Sequence, residues 1–406
     1  MNFTFFSPVN IIFGHGTSKN LADYIAQHLL ASYKKALLIT GKKSSRADHI
    51  IRNLSHSGIS HKIIEQPGEP SIDDIVKGAQ TAKTAGVDFI VAVGGGSVID
   101  AGKAIAAMAT NTQDIMQYLE VIGKGRPLTE KPLPMIAIPT TSGTGAEVTC
   151  NAVISSSEHN VKVSLRSQAM YPSIAVIDPQ LLLSMSPEVT ASTGMDALTQ
   201  LIESFTSRFA NPITDALCKD GITMVSRSFK KAYDEPDNIE ARSDMSIAAL
   251  LSGITLANAK LGAVHGIAGP MGGMINASHG VICARLLGSV MTENISVLEK
   301  RLYEQGSENI NQNDSHEPNA YLASAINKYH QIARLLTGNQ NADYRDGVNY
   351  IDELVRYMNI RKIACPKPDL SQITLLSRQA ELSSSMRGNP VALTSTQIRK
   401  IIQEEF

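Results

Sequence analysis

The segment Val87-Asp-Phe-Ile-Val-Ala-Val-Gly-Gly-Gly-Ser97 decides the fold of this 406-residue chain. Its apolar run has the length and composition of a buried strand, and an amphipathic helix over residues 98–108 is predicted directly after it. A glycine-rich turn between a strand and a helix leaves backbone N–H groups and the positive end of the helix dipole open to a phosphate. We therefore predict that a diphosphate binds at this turn, which consists of Gly94, Gly95, Gly96 and Ser97.

A second loop of similar character follows the apolar strand predicted over residues 135–138. It reads Pro139-Thr-Thr-Ser-Gly-Thr-Gly145 and is rich in hydroxyl groups and glycine. Because ligands of open parallel sheets bind beyond the carboxyl ends of the strands, two such loops indicate a dinucleotide. The triple glycine differs from the G-x-G-x-x-G fingerprint, so the second loop is needed to support the prediction.

The pattern of apolar residues predicts two domains. Strand-like and helix-like segments alternate through the first half, which is typical of a parallel sheet covered by helices: residues 35–40, 72–85, 87–93, 98–108, 135–138 and 174–177. Beyond Asp178-Pro179, apolar residues recur at three- and four-residue spacing over residues 212–232, 239–259 and 280–298, which predicts stacked helices. We expect an α/β dinucleotide-binding domain over residues 1–185 and an all-helical domain over residues 186–406, with a polar linker at 303–318.

The helical domain carries candidate metal ligands. Asp196 and Gln200 are four residues apart in a predicted helix, so both side chains project from one face. His265 and His279 each precede a glycine in a glycine-rich stretch. One carboxylate, one amide and two imidazoles would suit zinc or ferrous iron. Taken singly, each residue also has a structural interpretation, such as a helix start for the aspartate or a carbonyl partner for a histidine.

Together these motifs resemble the iron-containing (group III) alcohol dehydrogenases, which belong to the dehydroquinate synthase-like superfamily. The resemblance runs from Phe13-Gly14 to Asn389-Pro390 and therefore covers essentially the whole chain. It implies a parallel nucleotide-binding sheet followed by an all-α domain. It also implies reversible hydride transfer between a small alcohol or aldehyde and a nicotinamide cofactor, assisted by a divalent metal.

The resemblance also implies roles for individual residues. Asp196, His265 and His279 are expected to be catalytic metal ligands, and whether Gln200 is a fourth ligand stays open. The expected cofactor-binding residues are Gly41, Gly94, Gly95, Gly96, Ser97, Asp100, Thr140, Thr141, Thr144 and Lys162. For Asp100 the alternative is an acid that stabilises its helix dipole, and for Lys162 it is an ordinary surface lysine.

Two positions depart from the family pattern. The family's Asp-x3-His is Asp196-x3-Gln200 here, and Gly269 stands at the second position of its common His-x3-His. An amide binds transition metals more weakly than imidazole does, so the identity and retention of the metal are open. The alternatives are a metal-independent reductase of an activated or acidic carbonyl, similar to maleylacetate reductases, a dehydroquinate synthase-like lyase, and a nucleotide-binding protein without activity.

Cofactor choice depends on the residues that follow the strand predicted at 35–40. Enzymes that prefer NAD usually place a carboxylate there to bind the ribose hydroxyls. This chain has Gly41-Lys-Lys-Ser-Ser-Arg46 instead, which slightly favours NADP over NAD. The alternative is that the basic residues face solvent.

Composition limits the partners. A formal net charge of −1 argues against nucleic-acid binding. No apolar window of membrane-spanning length and no signal sequence is recognised, so we expect a cytoplasmic protein without membrane contact. The four cysteines lack C-x-x-C spacing and are expected to be buried thiols. Phe3-Thr-Phe-Phe6 could pair with another subunit as an edge strand, which favours a homo-oligomer such as a dimer.

Overall fold

The computed structural model describes residues 2–30, 32–42, 44–159, 161–275, 277–307, 319–363 and 368–406. The chain divides into two compact units. The sheet unit comprises Phe6–Ser186 and Glu235–Ser246, and the helical unit comprises Met1–Phe5, Pro187–Asp234 and Ile247–Phe406. All strands of the described residues lie in the sheet unit.

The sheet unit contains eight strands in its described residues. They are β1 Asn10–Phe13, β2 Lys35–Thr40, β3 Ser60–Glu65, β4 Phe89–Gly94, β5 Met135–Pro139, β6 Asn151–Ser156, β7 Val161–Arg166 and β8 Ile174–Ile177. Six of them form a parallel sheet in the order β1-β8-β5-β4-β2-β3, and β6 pairs with β7 as an antiparallel hairpin. Every residue of β4, β5 and β8 is buried, as expected for a parallel sheet covered on both faces.

Four helices cover this sheet: α1 Leu21–His28, α2 Asp48–His56, α3 Ile72–Ala85 and α4 Gly96–Thr110. Alternate residues of the central strands enter two separate cores. Leu38 and Val91 pack with residues of α1 and α2, whereas Leu37 and Ile90 pack with residues of α3 and α4. The two-residue period of a strand thus places one helix pair on each face.

The helical unit is built from nine helices in the described residues. They are α5 Pro187–Thr206, α6 Pro212–Asp234, α7 Ile239–Ala259, α8 Ala263–Met274, α9 His279–Ser307, α10 Asn319–Thr337, α11 Tyr344–Tyr357, α12 Leu370–Leu382 and α13 Ser395–Glu404. The first residues of α7, through 246, belong to the sheet unit. Helix α5 packs against α6 and α9, and α8 packs against α9 and α12.

Two helical segments are apolar enough to be compared with membrane spans. Within the described residues, the helical segment His279–Gln305 is long and apolar enough to cross a membrane. Helices α7 and α8 meet the same criterion only when they are taken together as a pair bent by 101°. However, 61% of the apolar window of α9 is buried inside the protein, as in the core helix of a folded domain.

The predicted fold class is confirmed, with differences in detail. The strand expected at residues 87–93 is Phe89–Gly94, and the helix expected at 98–108 is Gly96–Thr110. Residues 3–6 lie in no strand, and their pairing with another subunit stays a prediction. The prediction of a linker at 303–318 is wrong for residues 303–307, because they continue helix α9. The other residues of this segment, 308–318, lie outside the described residues.

Candidate functional site

Three helices of the helical unit bring together four side chains of types that can bind a metal. Asp196 comes from α5, His265 from α8, and His279 and Cys283 from α9. Asp196 Oδ1 lies 3.3 Å from Nε2 of His265 and 3.7 Å from Nε2 of His279. The Cys283 sulfur lies 3.8 Å and 3.6 Å from the same two nitrogens. One ligand atom from each of the four residues lies within 4.8 Å of the others, so the donor set fits a divalent metal.

A buried carboxylate orients the first imidazole. Nδ1 of His265 lies 2.6 Å from Oε2 of Glu203, and Oε1 of Glu203 accepts the backbone N–H of Val264 at 2.6 Å. Because Glu203 acts as an acceptor, we assign the Nδ1 proton of His265 to this bond, which leaves Nε2 as the atom that faces Asp196. This is the carboxylate–histidine arrangement typical of metal ligands.

The carboxylate of Glu203 and the amide of Asn389 cap the start of helix α8. Asn389 Oδ1 accepts the backbone N–H of Ala263 at 3.0 Å, next to the bond between Glu203 and Val264. A Cβ built on Gly262 would come within 2.8 Å of Glu203 Oε1 and 2.9 Å of Asn389 Oδ1. Glycine before the helix therefore allows two distant side chains to bind the free N–H groups of the turn that carries His265.

Gln200 contacts the side of Asp196 that faces away from the imidazoles. Its Nε2 donates to Asp196 Oδ2 at 3.3 Å, whereas both histidines approach Oδ1. Its Oε1 accepts the Ser252 hydroxyl at 2.8 Å. We place the amide nitrogen of Gln200, and not its oxygen, next to Asp196 because two oxygen acceptors would repel each other there.

Charges in the cluster act on one another. Burial raises the pKa of the Asp196 carboxyl, but the hydrogen bond from His265 and the positive imidazoles outweigh it, so that pKa is lowered. Burial likewise raises the pKa of the Cys283 thiol, but His279 and His265 lower it below its ordinary value. Among the groups around His279, Cys283 has the largest effect on the pKa of that imidazole and raises it. The cluster thus favours the carboxylate and the thiolate, the forms in which these groups bind metals.

In the sheet unit, the two predicted phosphate loops lie side by side. Gly94 ends β4 opposite Pro139 at the end of β5, and the N–H of Thr140 donates to Gly94 O at 2.9 Å. A Cβ on Gly95 would lie 3.3 Å from Thr141, and one on Gly96 would lie 2.7 Å from Oγ1 of Thr144. A side chain at position 96 would therefore displace Thr144, whereas one at position 95 would require a smaller shift of Thr141.

The start of α4 is suited to an anion. Its N-cap is Gly95, and no side chain caps it. Gly41, at the carboxyl end of the neighbouring strand β2, lies near α4, since a Cβ built there would be 3.8 Å from Val98. The structure therefore brings the residues predicted at 41, 94–97 and 140–144 to one edge of the sheet, where an α/β fold binds nucleotides.

Two other predicted cofactor residues have partners within the protein. Asp100 forms an ion pair with Lys103 at 3.0 Å and accepts the N–H of Val153 at 3.0 Å, which ties α4 to the hairpin. Nζ of Lys162 forms an ion pair of 2.7 Å with Glu69. Both residues thus make structural contacts, and a role in cofactor binding stays a prediction.

The basic segment after β2 is only partly described, because Lys43 lies outside the described residues. Arg46 is bound to Ser184: its Nε donates to the hydroxyl at 2.8 Å, and its Nη2 donates to the carbonyl oxygen at 3.1 Å. Lys42 is exposed.

Cys283 and Glu203 were missed in the sequence. For Cys283 a signal was present, since it follows His279 by four residues at the start of a helix, which is the same spacing that links Asp196 to Gln200. The interpretation of Cys283 as an ordinary buried thiol is incomplete because its sulfur contacts both histidines. Glu203 had no local signal, because its partner His265 is far away in sequence.

Comparison with known proteins identifies the class. A parallel sheet unit with glycine-rich loops and a helical unit with a carboxylate–imidazole cluster are typical of metal-assisted oxidoreductases. Residues 8–179 match the family model for iron-containing alcohol dehydrogenase, and residues 190–406 match the model for the C-terminal domain of that family. The chain belongs to the iron-containing alcohol dehydrogenase family. The family uses a nicotinamide cofactor and a divalent metal, which confirms the predicted cofactor classes.

The similarity to individual relatives extends over the whole chain. Alcohol dehydrogenase 4 of Saccharomyces cerevisiae (strain ATCC 204508 / S288c) is 32% identical over 99% of this chain and 98% of its own length. The crystal structure of a 1,3-propanediol oxidoreductase has a TM-score of 0.86 at 28% identity and covers 100% of both chains. The structure of sulfoacetaldehyde reductase from Bifidobacterium kashiwanohense in complex with NAD+ has a TM-score of 0.82 at 26% identity, covering 100% of this chain and 98% of that one.

Proposed function

We propose that the protein is an NAD(P)-dependent alcohol dehydrogenase or aldehyde reductase whose metal is held by Asp196, His265 and His279. The observation that carries the proposal is their convergence: Oδ1 of Asp196 lies within 3.7 Å of both Nε2 atoms. When bound, a divalent metal supplies Lewis-acid chemistry, which lowers the pKa of an alcohol or polarises a carbonyl group.

The protein's own groups prepare this site. Glu203 fixes the ring of His265, and Gln200 binds the second oxygen of Asp196, so both ligands are held before a metal arrives. Asp196 is 3% exposed and His265 is 8% exposed. Exclusion of water strengthens electrostatic interactions with a bound alcohol or aldehyde.

For the cofactor, we propose that residues 94–97 bind the diphosphate, with Thr140, Thr141 and Thr144 beside it. We propose a slight preference for NADP, because Gly41 offers no carboxylate at the end of β2 and Arg46 is held near the same segment by Ser184. Comparison of kcat/KM for NADPH and NADH tests this, and a strong preference for NADH would contradict it.

Further proposals concern the domains, the substrate, the partners and the location of the protein. We propose a dinucleotide-binding domain at residues 1–185 and a metal and substrate domain at residues 186–406. The substrate is a small alcohol or aldehyde, and the net charge of −1 gives no attraction for nucleic acid. We further propose a cytoplasmic homodimer that makes no membrane contact.

A metal-independent reductase is the second candidate, since Gln200 and Gly269 replace two imidazoles of the family pattern. The decisive experiment is exhaustive chelation followed by turnover with a panel of aldehydes and NADPH or NADH. Loss of activity that zinc or ferrous iron restores supports the proposal. Full activity in demonstrably metal-free protein would assign the chain to the metal-independent branch, and lyase activity without net redox would overturn both.

Two histidine variants make this experiment specific. His279→Ala removes one imidazole of the cluster, so activity should be lost and metal affinity should fall strongly. His330→Ala is the matched control because His330 belongs to α10 of the same unit and its ring packs against Tyr344 at 5.5 Å. The control variant should retain the metal.

A further inference from the structure

We propose that Cys283 is the fourth metal ligand, as a thiolate, and that Gln200 is a positioning residue outside the coordination shell. The inference rests on the proposed metal-binding function. It replaces the amide ligand considered for this position with a sulfur ligand from a different helix.

The separations in the cluster are those of a tetrahedral site. With zinc bonds of about 2.0 Å to nitrogen or oxygen and about 2.3 Å to sulfur, a tetrahedron has N–O edges of about 3.3 Å and N–S edges of about 3.5 Å. The distances from Asp196 Oδ1 to the two Nε2 atoms are 3.3 Å and 3.7 Å. Those from the Cys283 sulfur are 3.8 Å and 3.6 Å. These four separations match a tetrahedron that has the sulfur at one vertex.

The placement of Cys283 on α9 explains this geometry. It lies four residues after His279, so both side chains leave the same face of the helix within its first two turns. Cys283 is completely buried, and its sulfur contacts the Nε2 atoms of both histidines. These Nε2 atoms are the ones that also face Asp196, so all four donors point to a common centre.

Gln200, in contrast, has both ends of its amide engaged. Its nitrogen donates to Oδ2 of Asp196, and its oxygen accepts the Ser252 hydroxyl. The oxygen of Asp196 that faces the imidazoles is the other one, Oδ1. Gln200 therefore fixes the carboxylate from behind, which is the role of an outer-shell partner.

A thiolate changes which metals the site selects. A set of one thiolate, one carboxylate and two imidazoles carries two negative charges and one soft donor, and soft donors favour zinc over harder ions such as magnesium or manganese. Zinc sites also accept a fifth ligand, so four protein donors are compatible with catalysis. Because divalent zinc also binds such sites more tightly than ferrous iron does in the Irving–Williams order, we expect zinc to be retained in preference to ferrous iron.

The test uses the full-length protein loaded with Co²⁺, whose bonds to thiolate give an intense near-ultraviolet charge-transfer band. The wild-type protein and Cys218→Ser should show the band, and Cys283→Ser should bind cobalt without it. Cys218 is the matched control because it is also fully buried in the helical unit, on α6. Gln200→Ala should keep the band and weaken metal retention about 10–100-fold, as loss of an outer-shell partner does.

The outcomes separate the two proposals. If the wild-type protein binds no metal, the proposed metal-assisted function fails. If it binds cobalt without the charge-transfer band, that function stands and the ligand assignment of Cys283 is overturned. Should Cys283→Ser not fold, zinc X-ray absorption of the wild-type protein decides instead: a sulfur neighbour at about 2.3 Å supports the assignment, and a shell of only nitrogen and oxygen overturns it.

Discussion

Glu203 contacts His265 through two kinds of bond, since it accepts the Nδ1 proton of the imidazole at 2.6 Å and also the backbone N–H of the same residue at 3.4 Å. Its other oxygen accepts the N–H of Val264. One carboxylate thus accepts N–H groups at the start of helix α8 and fixes the tautomer of a proposed metal ligand. Helix stability and metal affinity should therefore depend on the same side chain.

Glu203→Ala should reduce both properties. Metal affinity should fall about 10–100-fold because the imidazole loses its outer-shell acceptor. The free energy of unfolding should fall by about 1–3 kcal/mol because buried N–H groups lose their partner. Chelator competition and urea unfolding measure the two effects.

Asp369→Ala is the control for the Glu203 variant. Asp369 caps α12 through an exposed capping box and does not belong to the metal cluster. Its replacement should lower stability while leaving metal affinity unchanged. Equal metal affinity in Glu203→Ala and the wild-type protein would show that Glu203 is only a helix cap.

A glycine sets the distance between α9 and α5. A Cβ built on Gly280 would overlap the carbonyl oxygen of Ser192, a backbone atom that cannot rotate away. Gly280→Ala should therefore push the start of α9, with His279 and Cys283, away from Asp196. We expect weaker metal retention together with a lower melting temperature.

Gly269→Ala is the matched control for Gly280→Ala. A Cβ on Gly269 would meet nothing within 4 Å, and this glycine also lies in a helix near the cluster, on α8. The substitution should leave metal content unchanged and shift stability by at most about 1 kcal/mol, because the higher helix propensity of alanine is opposed by the crowding of a Cβ against Pro270. If both variants keep full metal content and stability, the close approach of α9 to α5 is not needed for the site.

In the sheet unit, Gly95→Asp should abolish nucleotide binding. The new side chain would approach Thr141 and bring a negative charge to the start of α4, where the diphosphate is expected. Metal content should not change, because the metal cluster lies in the helical unit. Isothermal titration with NADPH and NADH measures the effect, and unchanged nucleotide affinity in the folded variant would refute the assignment of this loop.

The sequence was sufficient wherever a local pattern determines structure. Residues 72–85 and 239–259 were predicted with the observed bounds, since apolar spacing along one segment defines a helix. The hairpin of β6 and β7 was missed. In β6, Ala152 and Ile154 are buried and Val153 is exposed, but all three are apolar, so the sequence shows no alternation. The apolar–polar alternation of β7 is a weak signal because it spans only six residues.

The candidate site shows a different limit. Asp196, His265 and His279 were recognisable by residue type and by the family pattern, yet their separations depend on how three helices pack. The contacts of Cys283 with His265 and of Glu203 with His265 both join different helices, and the second spans 62 positions of sequence. Contacts of this kind cannot be read from spacing along one segment, and here they determine how the cluster is oriented.

The last prediction concerns Glu147, which follows the threonine-rich loop and is 3% exposed. Burial raises the pKa of its carboxyl group to about 7, although its own backbone N–H and the charge of Lys103 act in the opposite direction. Between the ordinary pKa of 4.5 and about 7, the folded state keeps a proton that the unfolded state has lost. Stability from this group is therefore fully present below pH 4.5 and is lost as the pH rises through about 7.

Glu147→Gln removes this titration and keeps the shape of the side chain. Relative to the wild-type protein, the variant should gain stability as the pH rises from 5 to 8, by up to about 3 kcal/mol, since each unit of pKa shift corresponds to about 1.4 kcal/mol. Urea unfolding of both proteins at the two pH values measures the difference between their free energies of unfolding. The contributions of all other titrating groups cancel in this difference because both proteins share them. A difference that is the same at pH 5 and pH 8 would mean that the Glu147 carboxyl is already ionised in the folded protein, with Lys103 as the charge that compensates it.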